Sequence, residues 1–96
     1  MNINVFGKQG CSTCKQMHDK VVHYIDKWGL NGKISVNYID TETVDGMAEG
    51  AFNDIMEVPT VIIEKDGENV VRYDGGVADS RHLQLRLKEM GIVDND

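Results

Sequence analysis

The chain has 96 residues, 41% of them hydrophobic and 27% charged, with a formal net charge of -6. That length accommodates one domain with a single modest core. The negative charge argues against nucleic acid as a partner, because nucleic-acid binders present basic surface. The sequence lacks a run of about 18 apolar residues, so no membrane span is expected, and its start, "MNINVFGKQG", lacks the basic flank and apolar stretch of a secretion signal. A cytoplasmic protein is therefore expected.

Residues 3–6, "INVF", alternate in polarity and favour extended structure, which predicts a strand stopping at Gly7. A loop with Gly7 and Gly10 then delivers Cys11 and Cys14. From Ser12 onward Met17, Val21, Val22, Ile25 and Trp28 recur at helical spacing until Gly29 and Gly32 end the run. Residues 34–39, "ISVNYI", read as a second strand. Next, Val44, Met47, Ala48, Ala51, Phe52 and Ile55 follow the spacing of an amphipathic helix, and this apolar stripe is expected to face the core.

"VPTVIIE" reads as a third strand with the single proline at its entrance, where a missing N–H does least harm. Asp66 and Gly67 mark a tight turn into "VVRYD", which completes a hairpin. After Gly75 and Gly76 a last helix starts near Asp79, a good N-cap, with Leu83, Leu87 and Met90 as its buried edge. Residues 1–92 form the expected domain, and residues 93–96 a flexible tail. The order β-α-β-α-β-β-α, with a helical crossover joining the first two strands, implies an α/β fold. Its four-stranded mixed sheet carries helices on both faces.

Charge is unevenly placed. Residues 1–33 hold five lysines against Asp19 and Asp26, while residues 34–64 hold seven acids and no Lys or Arg. The acidic block reads either as a solvated helix with acids near its positive end or as a docking surface for a basic partner.

The two cysteines lie three apart at a helix start, on one side of the first turn and within disulfide reach. In a reducing compartment such a pair more often means catalysis or metal binding than a structural link. As a staple it closes so short a loop that it adds only about 2 kcal/mol. As a metal clip it is extended by His18 and His23, giving Cys-x2-Cys-x3-His-x4-His. Those ligand types suit zinc, yet all four sit on one segment with no second element to close a tetrahedron, and no metal is expected. As a redox centre, Cys11 would gain thiolate character from free backbone N–H groups, the helix dipole and the charges of Lys8 and Lys15. Much of the resulting gain in ionised sulfur is offset by weaker nucleophilicity. The larger benefit is to Cys11 as a leaving group.

A lone Cys-x-x-Cys is a weak signal. Here it follows the first strand and opens the first helix, Val58 and Pro59 precede a hairpin, and Gly75 and Gly76 precede the last helix. In these features, over nearly its whole length, the sequence resembles the thioredoxin superfamily. Within that superfamily it resembles the glutaredoxins: the active-site strand begins almost at residue 1, no Trp precedes Cys11, Lys8 stands three residues before it, and "GGVAD" fits a Gly-Gly-x-x-Asp pattern.

The resemblance implies a thioredoxin-like fold and a set of roles. Cys11 is the implied nucleophile and Cys14 the resolving thiol. Val58 would offer its backbone to a substrate in strand-like pairing beside a cis bond at Pro59. Lys8 would meet the glycine carboxylate of glutathione, while Gly76, Val77, Ala78 and Asp79 would receive its γ-glutamyl end. Between the cysteines Ser12 and Thr13 replace the Pro and Tyr common in glutaredoxins, and Glu57 stands where Thr often precedes Val-Pro.

The implied activity is reduction of protein disulfides or glutathione mixed disulfides. The expected protein is a monomer without a permanently bound cofactor, with glutathione as co-substrate and electrons from glutathione or a thioredoxin-reductase-type reductant. Two other classes remain at this stage. One is an iron-sulfur carrier holding a [2Fe-2S] centre through Cys11 and glutathione; the other is a redox-regulated binding module that uses the acidic block without turnover.

Overall fold

The computed structural model describes residues 1–91. Its elements run β1 (Asn2–Gly7), α1 (Ser12–Lys27), β2 (Ser35–Asp40), α2 (Val44–Phe52), β3 (Thr60–Lys65), β4 (Glu68–Asp74) and α3 (Ser80–Glu89). The order is the expected β-α-β-α-β-β-α. The flexible tail expected at residues 93–96 lies outside the described residues.

The sheet order is β2-β1-β3-β4. β1 pairs with β2 in parallel, Ile3 opposite Val36, and with β3 in antiparallel fashion, Val5 opposite Val61. The hairpin turns on Asp66 and Gly67, both at positive φ, the conformation that lets a two-residue loop follow the twist of its strands. Among the described residues, no helix is long and apolar enough to cross a membrane.

Strand alternation divides the sheet into two unlike faces. On one face Ile3, Val5, Val61 and Ile63 meet Val21 and Ile25 of α1 and Leu83 and Leu87 of α3 in a single buried cluster. Each such side chain contributes roughly 1.5–3 kcal/mol by leaving water. α1 ends in a hydrogen-bonded cap that locks it to this core: Gly29, at positive φ, donates to the Asp26 carbonyl, and Leu30 donates to the Ile25 carbonyl. Leu30 then packs beside Ile25, the apolar contact such caps favour. Asp79 caps α3 as expected, and Leu83 and Leu87 form its buried edge. Val22, counted in the apolar run of α1, is instead exposed, because it lies one residue off the 14, 21, 25 stripe.

The other face is covered by α2 alone, and here the sequence expectation fails. The stripe of Val44, Met47, Ala48, Ala51 and Phe52 does not enter the core; all five are exposed. The buried residues of α2 are Gly46 and Gly50, four apart and so on one side of the helix. The reason is closeness of approach. A Cβ on Gly46 would collide with the Asp40 carbonyl oxygen and lie 2.8 Å from Thr43 Oγ1. Only the bare backbone fits against the end of β2, so the apolar side chains are turned outward.

Thr43 caps α2 through Oγ1, which accepts from the Gly46 N–H and donates to the Asp40 carbonyl. At the far end, Arg72 of β4 donates to the carbonyls of Asn53 and Asp54. α2 leaves half of this face to polar residues: Asn4 bonds Asn37, and Asn2 bonds Glu64. A hollow of about 790 Å³ lies between α2 and this polar half, lined by residues that include Asn4, Phe52, Ile62 and Asn69.

Candidate active site

β1 ends at Gly7 and its loop carries Lys8 to the start of α1, so the two cysteines stand at the C-terminal edge of the sheet. Cys11 is the N-cap of α1, and Cys14 lies in its first turn. They form a disulfide with a Cα–Cα distance of 5.3 Å. Their environments differ sharply. Cys11 is half-buried, whereas Cys14 is fully buried. Cys11 Sγ accepts from the Cys14 N–H at 3.2 Å and lies 3.4 Å from Thr13 Oγ1. A negative charge on this sulfur would therefore find a hydroxyl and a free helix N–H already in place.

Sequence reasoning missed two residues that hold this geometry. Tyr38, on β2, donates to the Lys8 carbonyl at 2.9 Å, and the same carbonyl accepts from the Cys11 N–H. Burial, followed by the nearby Asp40 carboxylate, raises the Tyr38 phenol above its ordinary pKa. Gly7 makes room for this contact, since a Cβ there would lie 2.7 Å from Cys14 Cβ and 2.8 Å from Tyr38 Cζ. The strand pattern marks Tyr38 only as a β-former, and nothing local announces its reach to a loop 30 residues away. Met17 is the second. Its Sδ accepts from the Val77 N–H at 3.5 Å, and its Cε would be 2.6 Å from a Cβ on Gly76. α1 thus touches the double-glycine loop through a thioether.

The remaining expected residues gather around the cysteines to different degrees. The Val58–Pro59 bond is cis, Pro59 is buried and Val58 is half-buried. Among the described residues the Val58 backbone has no hydrogen-bond partner, so its edge is open to an extended chain. Lys8 is exposed, makes no ion pair among the described residues, and lines two hollows, one of which includes Cys11. One, of about 460 Å³, reaches Val58; the other, of about 600 Å³, reaches Tyr38 and His18. Lys15 is paired with Asp19 at 3.4 Å, and His18 packs edge-on against Tyr38.

Of the loop residues Gly76, Val77, Ala78 and Asp79, Gly76 donates to the Tyr73 carbonyl, and the N–H groups of Ala78 and Asp79 have no partner among the described residues. Val77 is buried with its N–H directed at Met17 Sδ. The Asp79 carboxylate accepts from the Arg81 backbone and guanidinium, and the hydrogen bond from the Arg81 N–H holds its pKa below the ordinary carboxylate value. The Glu57 carboxylate lies over Gly75, 3.2 Å from where a Cβ would be. A carboxylate brought to this loop would meet two others.

Comparison with known proteins places this arrangement. The family described as thioredoxin domain matches residues 1–87. A search of curated proteins finds no significant match. Among solved structures, thioredoxin 1 from the thermophilic eubacterium Thermosipho africanus superposes with a TM-score of 0.74 at 24% identity, covering 99% of this chain and 100% of that one. Thioredoxin O2 from Arabidopsis thaliana, in its oxidized state, gives 0.69 at 13% identity over 93% and 73% of the two chains. Fasciola hepatica thioredoxin gives 0.68 at 19% identity over 92% and 78%.

Proposed function

We propose, from the premise that this chain belongs to the thioredoxin-domain family, that it is a thiol-disulfide oxidoreductase reducing disulfides in protein substrates. The observation that carries the proposal is the asymmetric cysteine pair, with Cys11 accessible at the helix N-terminus and Cys14 buried within bonding reach.

In the reduced protein the Cys11 thiolate attacks one sulfur of the substrate disulfide, forming a mixed disulfide and expelling the other sulfur as a thiolate. Cys14, deprotonated, then attacks the Cys11 sulfur, closing the internal disulfide and releasing the second substrate thiolate. Both released thiolates take protons from solvent. Two electrons pass to the substrate, which becomes a dithiol, and an external reductant restores the Cys11–Cys14 pair. Approach of an extended substrate along the open Val58 backbone sets the attacked sulfur beside Cys11.

Protein disulfides are favoured over glutathione because the Glu57 carboxylate lies over the double-glycine loop and the Val77 N–H is engaged by Met17 Sδ. A reducing compartment such as the cytoplasm suits this activity. The test is reduction of insulin disulfides by the wild type and by Cys11→Ser and Cys14→Ser. Cys11→Ser is expected to abolish turnover, and Cys14→Ser to accumulate a mixed disulfide detectable by mass. Full turnover by Cys11→Ser would overturn the proposal. Running the assay with glutathione plus its reductase, then with a thioredoxin reductase, identifies the electron source.

A further inference from the structure

The outward stripe of α2 has no role in forming the core. Val44, Met47 and Phe52 are 79%, 54% and 84% exposed, and Met56, beyond the end of α2, is 89% exposed. Scattered apolar residues are normal on a surface, but a clustered set beside a functional cleft marks an interaction site. Part of this set reaches the loop that leads to Cys11. Met47, Ala51 and Met56 line the groove that also holds Val58 and Lys8. Methionines suit such a surface, since an unbranched thioether moulds to varied partners.

The charge around the stripe has one sign. Glu42, Asp45, Glu49, Asp54 and Glu57 are exposed; Asp54 and Glu57 line the groove with Met47 and Met56, whereas Asp45 and Glu49 line the separate hollow of about 790 Å³. The neighbouring cation, Arg72, is already bound to Asp74 and to the carbonyls of Asn53 and Asp54. Lys8 stands at the far end of the groove. A second copy presenting the same face would set acid against acid, and an anionic lipid surface would be repelled in the same way. The complementary occupant is positively charged and partly apolar.

We infer that this face docks the protein substrate, and that the segment it receives carries Lys or Arg interleaved with aliphatic side chains next to its disulfide. The inference rests on the oxidoreductase reading and names the substrate class of that site. The substrate disulfide reaches Cys11 while the flanking segment lies along the groove onto α2. The acids speed encounter, and the apolar stripe lengthens residence.

The test uses the reduced full chain and three synthetic peptide disulfides, each a homodimer through one cysteine flanked by Arg and Leu, by Glu and Leu, or by Arg and Ser. Hydroxyethyl disulfide reports intrinsic thiol reactivity. The Arg/Leu peptide is expected to react about tenfold faster than the Glu/Leu peptide at low ionic strength, with the gap shrinking as salt is added. It is also expected to outpace the Arg/Ser peptide. Asp54→Asn with Glu57→Gln, which remove charge and keep each backbone preference, should lower the charge preference about threefold or more. Met47→Ser with Met56→Ser should erase the advantage of Leu over Ser.

Equal rates for the Arg/Leu and Glu/Leu peptides, with hydroxyethyl disulfide reduced normally, would overturn the inference and leave the oxidoreductase reading standing. A dithiol inert to hydroxyethyl disulfide would overturn both. Dimerisation in sedimentation, abolished by Met47→Ser with Met56→Ser, would replace the basic substrate with a second copy and overturn the inference.

Discussion

Gly46 and Gly50 sit on the same side of α2 and face inward, yet substitution should move stability in opposite directions. At Gly50 a Cβ meets only Thr41 Cγ2 at 3.7 Å and Ile55 Cβ at 3.9 Å, both ordinary contacts. Gly50→Ala therefore gains the helix preference of alanine, about 0.5–1 kcal/mol, without a clash. At Gly46 the same preference is outweighed. The Cβ is driven into the Asp40 carbonyl oxygen and crowds Thr43 Oγ1. Relief requires lifting the first turn of α2 off β2, which adds the cost of overpacking, about 1–3 kcal/mol, and loosens a cap worth about 1 kcal/mol. The two variants should thus differ by roughly 2–4 kcal/mol. In urea denaturation, where a chain of this size loses about 1 kcal/mol of stability per molar denaturant, the midpoints should separate by about 2 M or more. Gly46→Ala as stable as wild type would refute the close-approach argument, and with it the account of why the apolar stripe faces out.

Tyr38→Phe removes the bond to the Lys8 carbonyl; at a partly exposed site the stability cost should stay within about 1 kcal/mol. The Cys11 amide, whose acceptor that bond steadies, should exchange with deuterium measurably faster. Tyr73 has a buried hydroxyl without a hydrogen-bond partner among the described residues, and burial raises its pKa. Tyr73→Phe should therefore be neutral or stabilising by about 1 kcal/mol in thermal unfolding, and should delete a late-ionising phenol from an alkaline absorbance titration. Asp79 has a lowered folded pKa, so its stabilising contribution is present above the unfolded value of about 3.9 and is lost as pH falls through the folded value. Asp79→Asn keeps a capping oxygen and should flatten that part of the acid limb, as read from urea midpoints at successive pH values.

Much of the architecture was legible in local pattern. Alternation marked the strands, Asp66 and Gly67 marked the hairpin, and Asp79 marked the α3 cap, because each signal is written in adjacent residues. The cysteine pair was legible for the same reason, its helix-start position following from Gly10 before it and the periodic run after it. α2 was misread because an apolar period reports a face without saying which way it points. Gly46 and Gly50 decide that direction through contact with Asp40, a constraint set by the packed backbone. Tyr38 and Met17 were missed for a related reason: their contacts span 30 and 60 residues of chain. The resemblance of "GGVAD" to a glutathione-binding loop is a local signal, whereas the partners of those residues in Met17 and Arg81 are contacts that no local motif reveals.

The one-sided core has a dynamic consequence. The larger apolar cluster joins β1, β3, α1 and α3, whereas the α2 face of the sheet buries only Phe6 and Ile62 as large apolar side chains among the described residues, and the helix is held by two glycines, a threonine cap and an arginine clamp. Backbone amides of α2 should therefore open sub-globally, exchanging at a lower free energy than those of β1 and β3. The Cys11–Cys14 couple opens α1, whose Val21 and Ile25 belong to the larger cluster. Its electron chemistry is mounted on the portion of the molecule that stays closed while the helix beside it breathes.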